Sequence, residues 1–596
     1  MTKTACPLDC FDACSVVCDS SNNKIKLVGG NDLAYTNGTL CAHLYKHIFD
    51  ATRITTPMVD GKEVSLDEAL DAAAKALKSR WLLWRGSGNL GLMQEVTNLL
   101  AKESDGVLTR GTLCDGAGEA GIIDGRGVNR LLPVEQIVKA DVVVVWGRNP
   151  EVTSPHLLSI IKDKELVVID PRTTNLAKSA KLHLQVKPRS DFYLATILAR
   201  FIMMEGAEDE EWLEEFGSEY DEYYEFTRGF RIKAILDYIG LSLDDIGDLL
   251  LMLQNKKVVF LVGAGVQRYD IGYYTLRAID SLAAILGLFG KEGCGVSYLS
   301  NSKLGFKNPF EVKTKTELKP TTPFSKYESV LIQGGNPAES MPNSNQVIKE
   351  LNQVKNLIYF GLYENETSKL ANIIIPAKTF LEKDDLRLSY GHQYLQRMNK
   401  CYDSEIGISE YNFTQEILKR LNKEPIKPLK YYIDFYLNQA IKKDNLYISP
   451  AFEEIPYKNG FGEDGGDEFE FNDDFYDDFE DIKALQKFRK KIKSDDSSYY
   501  LLTPKSKDTL NTQFELKKEF VYLNPKLGFK DEEEVTIKSE NAKISLRVKN
   551  DEGVRADSVV ILMGTKNLNK LTPFKCSSEG DMACYGDIKV EIIKKS

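Results

Sequence analysis

The 596-residue chain has only five histidines, no apolar run approaching the ~20 residues that a membrane-spanning helix needs, and no charged-then-apolar stretch of the secretory kind at its start. So few histidines leave little from which to build a His-ligated zinc or non-haem iron site. The missing spanning and secretory segments predict a cytoplasmic protein whose ten cysteines stay reduced and are read as ligands rather than disulfides. A surplus of positive charge is also lacking. The net charge of −11 resides in one run, Glu463 to Asp481, with eleven acids and no Lys or Arg, and the remainder balances at 77 against 77. Nucleic acid is therefore a poor candidate for a partner. The acidic run interleaves Phe469, Phe471, Phe475, Tyr476 and Phe479. It is read as a solvated, mobile insertion between domains, with a docking segment for a basic partner as the alternative.

What is present begins with Cys6, Cys10, Cys14 and Cys41, in the order C-x3-C-x3-C-x26-C. Three thiols at four-residue intervals, closed by a fourth after a hairpin-length excursion, can surround a [4Fe–4S] cluster. The alternative is a set of small hydrophobes on one face of a buried helix, which Cys18 would continue. Pro7, Asp9 and Asp12 interrupt such a face. Lys24–Gly30 reads as part of a small sheet that carries Cys41 back to the other three.

A chain of this length should divide into roughly three or four domains. Val64–Lys78 has the periodicity of an amphipathic helix, with Ser65 and Glu68 as a capping box. Beyond it, apolar strands alternate with polar loops and helices. The strands are Asp141–Trp146, Glu165–Ile169, Lys257–Val262, Ser329–Gln333 and Asn356–Gly361. Continuously apolar runs of this kind fit parallel strands buried on both faces, so the fold class is α/β of doubly wound type. Four of them run into loops suited to nucleotide binding: Gly147-Arg148-Asn149-Pro150, Asp170-Pro171-Arg172, Gly263-Ala264-Gly265 and Gly334-Gly335-Asn336-Pro337. Each alone is also ordinary turn chemistry. Strand followed by G-x-N-P occurs twice, which suggests one dinucleotide spanning two half-sites or two copies of the same cofactor. Cys114, on the Gly-rich turn Thr112–Gly118, leaves room for a bulky group at its sulfur, or is a small buried hydrophobe.

Together CPLDCFDAC, GTLC at 38–41, RITTP at 53–57, RGTLCDGAG around Cys114, VVWGRNP with His156 following, VVIDPR, GAGVQR, LIQGGNP, ANIIIPAKTFLE and a β-rich C-terminal region resemble the molybdopterin oxidoreductases of the dimethyl sulfoxide reductase family. The likeness covers essentially the whole chain and is greatest to the assimilatory-type branch that begins CPLDC. It implies one [4Fe–4S] cluster on Cys6, Cys10, Cys14 and Cys41. It also implies molybdenum or tungsten held by two molybdopterin guanine dinucleotides, with Cys114 as protein ligand and Asp115 beside it as catalytic candidate. Gly147, Asn149, Asp170, Arg172 and Asp191 would hold one nucleotide. Gly263, Gly265, Asn336 and Pro337 would lie near the pterins or the other nucleotide, and Gln513 and Asn569 would stand on the contact loops of a C-terminal capping domain.

The implied architecture is a cluster lobe (1–55), a discontinuous α/β domain (56–130 and 325–450), a second α/β domain (131–324), the acidic insertion (451–495) and a barrel-like pterin-capping domain (496–596). Relatives often carry Lys two residues after the fourth cluster cysteine. Here that position is His43, so His43 and Lys46 are the expected electron relay. Pro188-Arg189-Ser190-Asp191 replaces P-G-T-D, and Asp115 replaces the His that formate dehydrogenases place after the metal ligand. The implied function is two-electron redox of a small substrate, with a separate ferredoxin-like or flavoprotein electron partner. A non-redox hydratase, a formate dehydrogenase-like enzyme and a metal-free relay subunit are the alternatives.

Overall fold

The computed structural model describes all residues except 22–23, 34, 51, 89, 472–497, 515, 517 and 596. Thr2–Ala5, Ser15–Asp19 and Lys26–Gly29 form a small antiparallel sheet at the N-terminus, and the loop carrying Cys6, Cys10 and Cys14 joins its first two strands.

Two larger sheets organise the middle of the chain. One runs Leu182–Leu184, Glu165–Ile169, Val142–Trp146, Val258–Val262, Gly295–Ser297, all parallel. The other places Thr316–Leu318, Val107–Arg110, Trp81–Arg85, Ser329–Gln333, Asn356–Gly361 and Ile373–Pro376 side by side in parallel, with an antiparallel hairpin of Met58–Val59 and Lys62–Glu63 at its edge. Helices cover both faces of each. Leu83, Leu331 and Phe360 pack toward Ala73 and Phe413, while Trp84, Val330 and Tyr359 pack toward Met341 and Val347. Neighbouring residues of a strand thus enter opposite cores, which is why the five expected strands are apolar at nearly every position. The expected helix forms as Leu66–Ala76, with the Ser65–Glu68 capping box in place.

A closed six-stranded barrel is built from residues 499–594. An antiparallel sheet, Asp385–Leu388, Tyr394–Met398, Ile441–Lys443 and Leu446–Ile448, packs beside the cluster lobe.

Three expectations need correcting. Trp81–Arg85 and Val107–Arg110 are strands absent from the expected set, and Thr316–Leu318, expected within the second unit, pairs with Val107–Arg110 in the sheet that also holds Ser329–Gln333. Residues 385–398 and 441–448 form a separate antiparallel sheet, while the helix Glu410–Arg420 between them still covers the large parallel sheet. The described part of the acidic run is not a solvated insertion. Phe469–Glu470 pairs with Gly217–Ser218, and Phe469 and Phe471 are fully buried against Phe289 and Tyr223. The Tyr457 hydroxyl donates to Val128 O at 2.7 Å and accepts from the Arg130 N–H at 2.8 Å. The acids face outward while alternate aromatics anchor the segment, a pattern that average composition conceals. Phe475, Tyr476 and Phe479 lie outside the described residues.

Phe471→Ala should therefore lower unfolding stability by about 3–5 kcal/mol, the usual cost of emptying a buried phenylalanine site. Urea unfolding of the variant measures it, and an unchanged midpoint would restore the solvated-insertion reading.

Candidate active site

The two parallel sheets share one construction. In doubly wound sheets a ligand crevice opens where the strand order reverses, between Val142–Trp146 and Val258–Val262 in one sheet and between Ser329–Gln333 and Trp81–Arg85 in the other. At each of these points two glycine loops meet. Gly147 and Gly334 have the same positive φ of 57°, which L side chains rarely adopt, and each opens a G-x-N-P turn leading into a one-turn helix with proline at its first position. The Gly263 N–H donates to Trp146 O at 2.9 Å and the Gly265 N–H to Gly147 O at 3.1 Å. The Gly86 N–H donates to Gln333 O at 2.8 Å and the Gly88 N–H to Gly334 O at 3.1 Å. A Cβ on Gly265 or on Gly88 would come within 2.6 Å of the facing glycine carbonyl, so the two loops close only as bare backbone.

The structure thus distributes the expected residues differently from the sequence reading. Gly263 and Gly265 join Gly147 and Asn149 in one half-site, while Asn336 and Pro337 join Gly86 and Gly88 in the other. Gly86 and Gly88 were not among the expected site residues. Their signal was an apolar run ending in G-x-G, the pattern of VVFLVGAG repeated as WLLWRGSG.

The half-site at Gly334 opens onto a cavity of about 1900 Å³. Cys114, Asp115, Lys46, Asn336, Gln513 and Asn569 all line it, together with Asp9, Arg268, Lys319 and Lys505. The barrel closes its far side, and the Asn569 side-chain amide donates to Glu339 O at 2.7 Å. Gly147, Asn149, Asp170, Arg172 and Asp191 do not line this cavity. Asp191 is buried and Asp170 half-buried beside the half-site at Gly147. Burial first, then the neighbouring Asp191, pushes the Asp170 carboxyl up to about 7; burial pushes Asp191 up to about 6, although its Oδ1 accepts the Trp146 indole N–H at 2.8 Å. Arg172 pairs with Asp551 at 3.0 Å and spans to the barrel. Arg189, standing where the family pattern has glycine, keeps a positive φ of 67° and pairs with Asp270 at 2.5 Å.

Cys114 sits on the turn between the strand Val107–Arg110 and the helix Gly116–Arg126. The Thr112 hydroxyl accepts the N–H groups of Cys114, Asp115 and Gly116 at 3.0–3.1 Å, and Gln267 donates to Cys114 O at 2.5 Å. Burial, then Asp115, pushes the Cys114 thiol up to about 12, and burial also raises the Asp115 carboxyl. A thiolate at Cys114 is thus favoured only with positive charge at its sulfur. Lys319, which sits over the Trp84 ring at 5.0 Å, is lowered to about 8 by burial.

Cys6, Cys10, Cys14 and Cys41 line a second, small cavity with His43. Arg387 donates to the carbonyls of Cys6 and Leu8 at 3.3 and 3.0 Å, Ser389 to Phe11 O at 2.7 Å, His392 Nε2 to Asp12 O at 3.0 Å and Gln396 to Ala13 O at 2.6 Å. One β-hairpin therefore holds the carbonyl side of the cysteine loop. Burial and then Cys41 push the Cys6 thiol up to about 12, and burial raises Cys10, Cys14 and Cys41. Four thiolates coexist here only around a strongly cationic centre. Among the described residues no three His, Cys, Asp or Glu are gathered tightly enough for a single metal ion. A multi-iron cluster instead spreads its ligands around a larger body. Cys18 lies outside this wall, beside Cys401.

Bare backbone of the kind at the glycine half-sites suits phosphate-bearing ligands. Asn149 Oδ1, Arg172 Nε and Arg268 Nη1 are buried polar atoms without a hydrogen-bond partner among the described residues, as expected of groups that bond a ligand.

A family profile described as molybdopterin oxidoreductase matches residues 53–406. The chain is 27% identical over 439 residues to the probable oxidoreductase YoaE of Bacillus subtilis, covering 66% of this chain and 64% of that protein. It is 27% identical over 326 residues to formate dehydrogenase H of Escherichia coli, covering 49% and 46%. The assimilatory nitrate reductase catalytic subunit of B. subtilis is 23% identical over 417 residues, with 60% and 59% covered. Acetylene hydratase from Pelobacter acetylenicus has the same fold, with a TM-score of 0.77 over the whole of both chains at 14% identity.

A Cβ at Gly334 would meet no protein atom within 4 Å. Gly334→Ala should therefore cost only about 1–2 kcal/mol of backbone strain while filling ligand space. The expected outcome is a folded protein that releases less fluorescent pterin on denaturation; wild-type pterin content would show that Gly334 is only a turn.

Proposed function

The chain belongs to the molybdopterin oxidoreductase family, and from that premise we propose that it is the catalytic subunit of a molybdenum or tungsten enzyme performing two-electron redox on a small molecule. The observation that carries this reading is the exposure of Cys114 to a cavity of about 1900 Å³ beside a glycine half-site. Cys114 ligates the metal, and two molybdopterin guanine dinucleotides lie along the two half-sites. One rests against Gly86, Gly88, Asn336 and Pro337. The other rests against Gly147, Asn149, Gly263 and Gly265, with Asp170, Arg172 and Asp191 toward its nucleotide end. Cys6, Cys10, Cys14 and Cys41 hold one [4Fe–4S] cluster.

Bound there, the metal supplies two-electron chemistry and the cluster single-electron transfer. The rest belongs to the protein. Bare backbone at the glycine loops admits phosphate oxygens to main-chain N–H groups. Gln513 and Asn569 line the cavity on its barrel side, where they would contact the pterins. Asp115, raised by burial, holds a proton at a higher pH than a free carboxyl and offers it beside Cys114. Lys319 and Arg268 present cationic donors to oxygens of the substrate or the cofactor.

Electrons are exchanged with a separate carrier protein, as expected of a chain whose relatives include proteins named as subunits. No described helix is long and apolar enough to cross a membrane. We place the enzyme in the cytoplasm, where its thiols stay reduced.

Cys114→Ala should keep the iron and most of the pterin while lowering turnover with a reduced viologen or another artificial electron donor by more than about 100-fold. Wild-type turnover in the variant would remove Cys114 from the metal and leave the scaffold without its enzyme role.

A further inference from the structure

Asp9 and Lys505 are the two residues that line both the cysteine cavity and the large cavity. They therefore form the partition between the proposed cluster and the proposed metal site. Asp9 is already engaged: its Oδ1 accepts the Tyr390 hydroxyl at 3.3 Å and its Oδ2 the Asn511 amide at 3.0 Å. The Lys505 ammonium has no hydrogen-bond or ion-pair partner among the described residues, although the side chain is partly buried. Its backbone is held in place. The Ser506 hydroxyl, buried, accepts the Asp508 N–H at 3.0 Å, and Thr509 donates to Met563 O at 2.9 Å.

The cations expected at this place are committed elsewhere. His43 lines the cysteine cavity, but its Nε2 is bonded to Lys507 O at 2.9 Å. Lys46 lines only the large cavity and donates to Asp508 O at 3.1 Å. Arg387, which was not among the expected relay residues, lines the large cavity alone and donates to the carbonyls of the cysteine loop.

We propose that Lys505, delivered by the segment entering the barrel, is the positioning residue that sets the charge between the two redox centres, in place of a cation after Cys41. The inference rests on the cluster reading above. A cluster held by four thiolates is anionic and gains further negative charge on reduction. A fixed ammonium in the adjoining wall stabilises the reduced form and raises its potential. Lys505 also lines the cavity that Cys114 lines, so one charge faces both centres.

The test is a redox titration of the cluster, followed by low-temperature EPR in the loaded protein, with wild type compared to Lys505→Met, Lys505→Gln, Lys505→Arg and Lys46→Met. Both neutral variants at 505 should move the midpoint to more negative potential at unchanged iron content, while Lys505→Arg and Lys46→Met titrate near wild type. Wild-type midpoints in Lys505→Met and Lys505→Gln would overturn the inference, as would an equal shift in Lys46→Met. If one neutral variant fails to assemble, the other decides by the same criterion. A wild type without a cluster signal would instead contradict the proposed function, which keeps the two failures distinct.

Discussion

The constraint on which the rest depends is the contact of backbone with backbone where two loops meet at the end of each parallel sheet. Gly88 faces the carbonyl of Gly334 and Gly265 that of Gly147, each pair joined by a 3.1 Å hydrogen bond. A side chain at either approach would separate the loops, and the strands behind them would lose their register. The same hydrogen-bond pattern in two sheets points to two ligands of one kind, each presenting groups slim enough to meet main-chain N–H groups. With it go the repeated order of strands about each switch point and the asparagines that open one-turn helices.

The second support is the hairpin Asp385–Met398, which binds the carbonyls of the cysteine loop from Cys6 to Ala13. Held through its carbonyls, the loop places all three of its cysteines, with Cys41, along one cavity. The loop also carries Asp9, which lines both the cysteine cavity and the large cavity. Proximity of the two cavities is thereby built into the chain's first ten residues.

Much of this was legible in the sequence because parallel strands buried on both faces write continuous apolar runs; all five expected strands form within a residue of their bounds. The capping box at Ser65 and the repeated G-x-N-P were readable for equally local reasons. Trp81–Arg85 was missed because its last residue is a cation and its tryptophans do not mark a strand by themselves. The acidic run misled because net charge averages over outward carboxylates and inward rings, and only pairing with Gly217–Ser218 distinguishes Phe469 from a solvated phenylalanine. Lys505 was illegible in principle. Its role arises from a fold that brings the entry to the barrel against the ninth residue, and no local pattern records that meeting.

The central claim, one cluster and one metal centre served by a doubled nucleotide half-site, is tested most directly by the composition of anaerobically purified protein. Iron, molybdenum and tungsten would be measured by mass spectrometry, and guanine nucleotide released by acid would be measured on the same sample. The account predicts about four irons, one molybdenum or tungsten and two guanine nucleotides per chain. Iron without either metal, or a single nucleotide per metal, would contradict it.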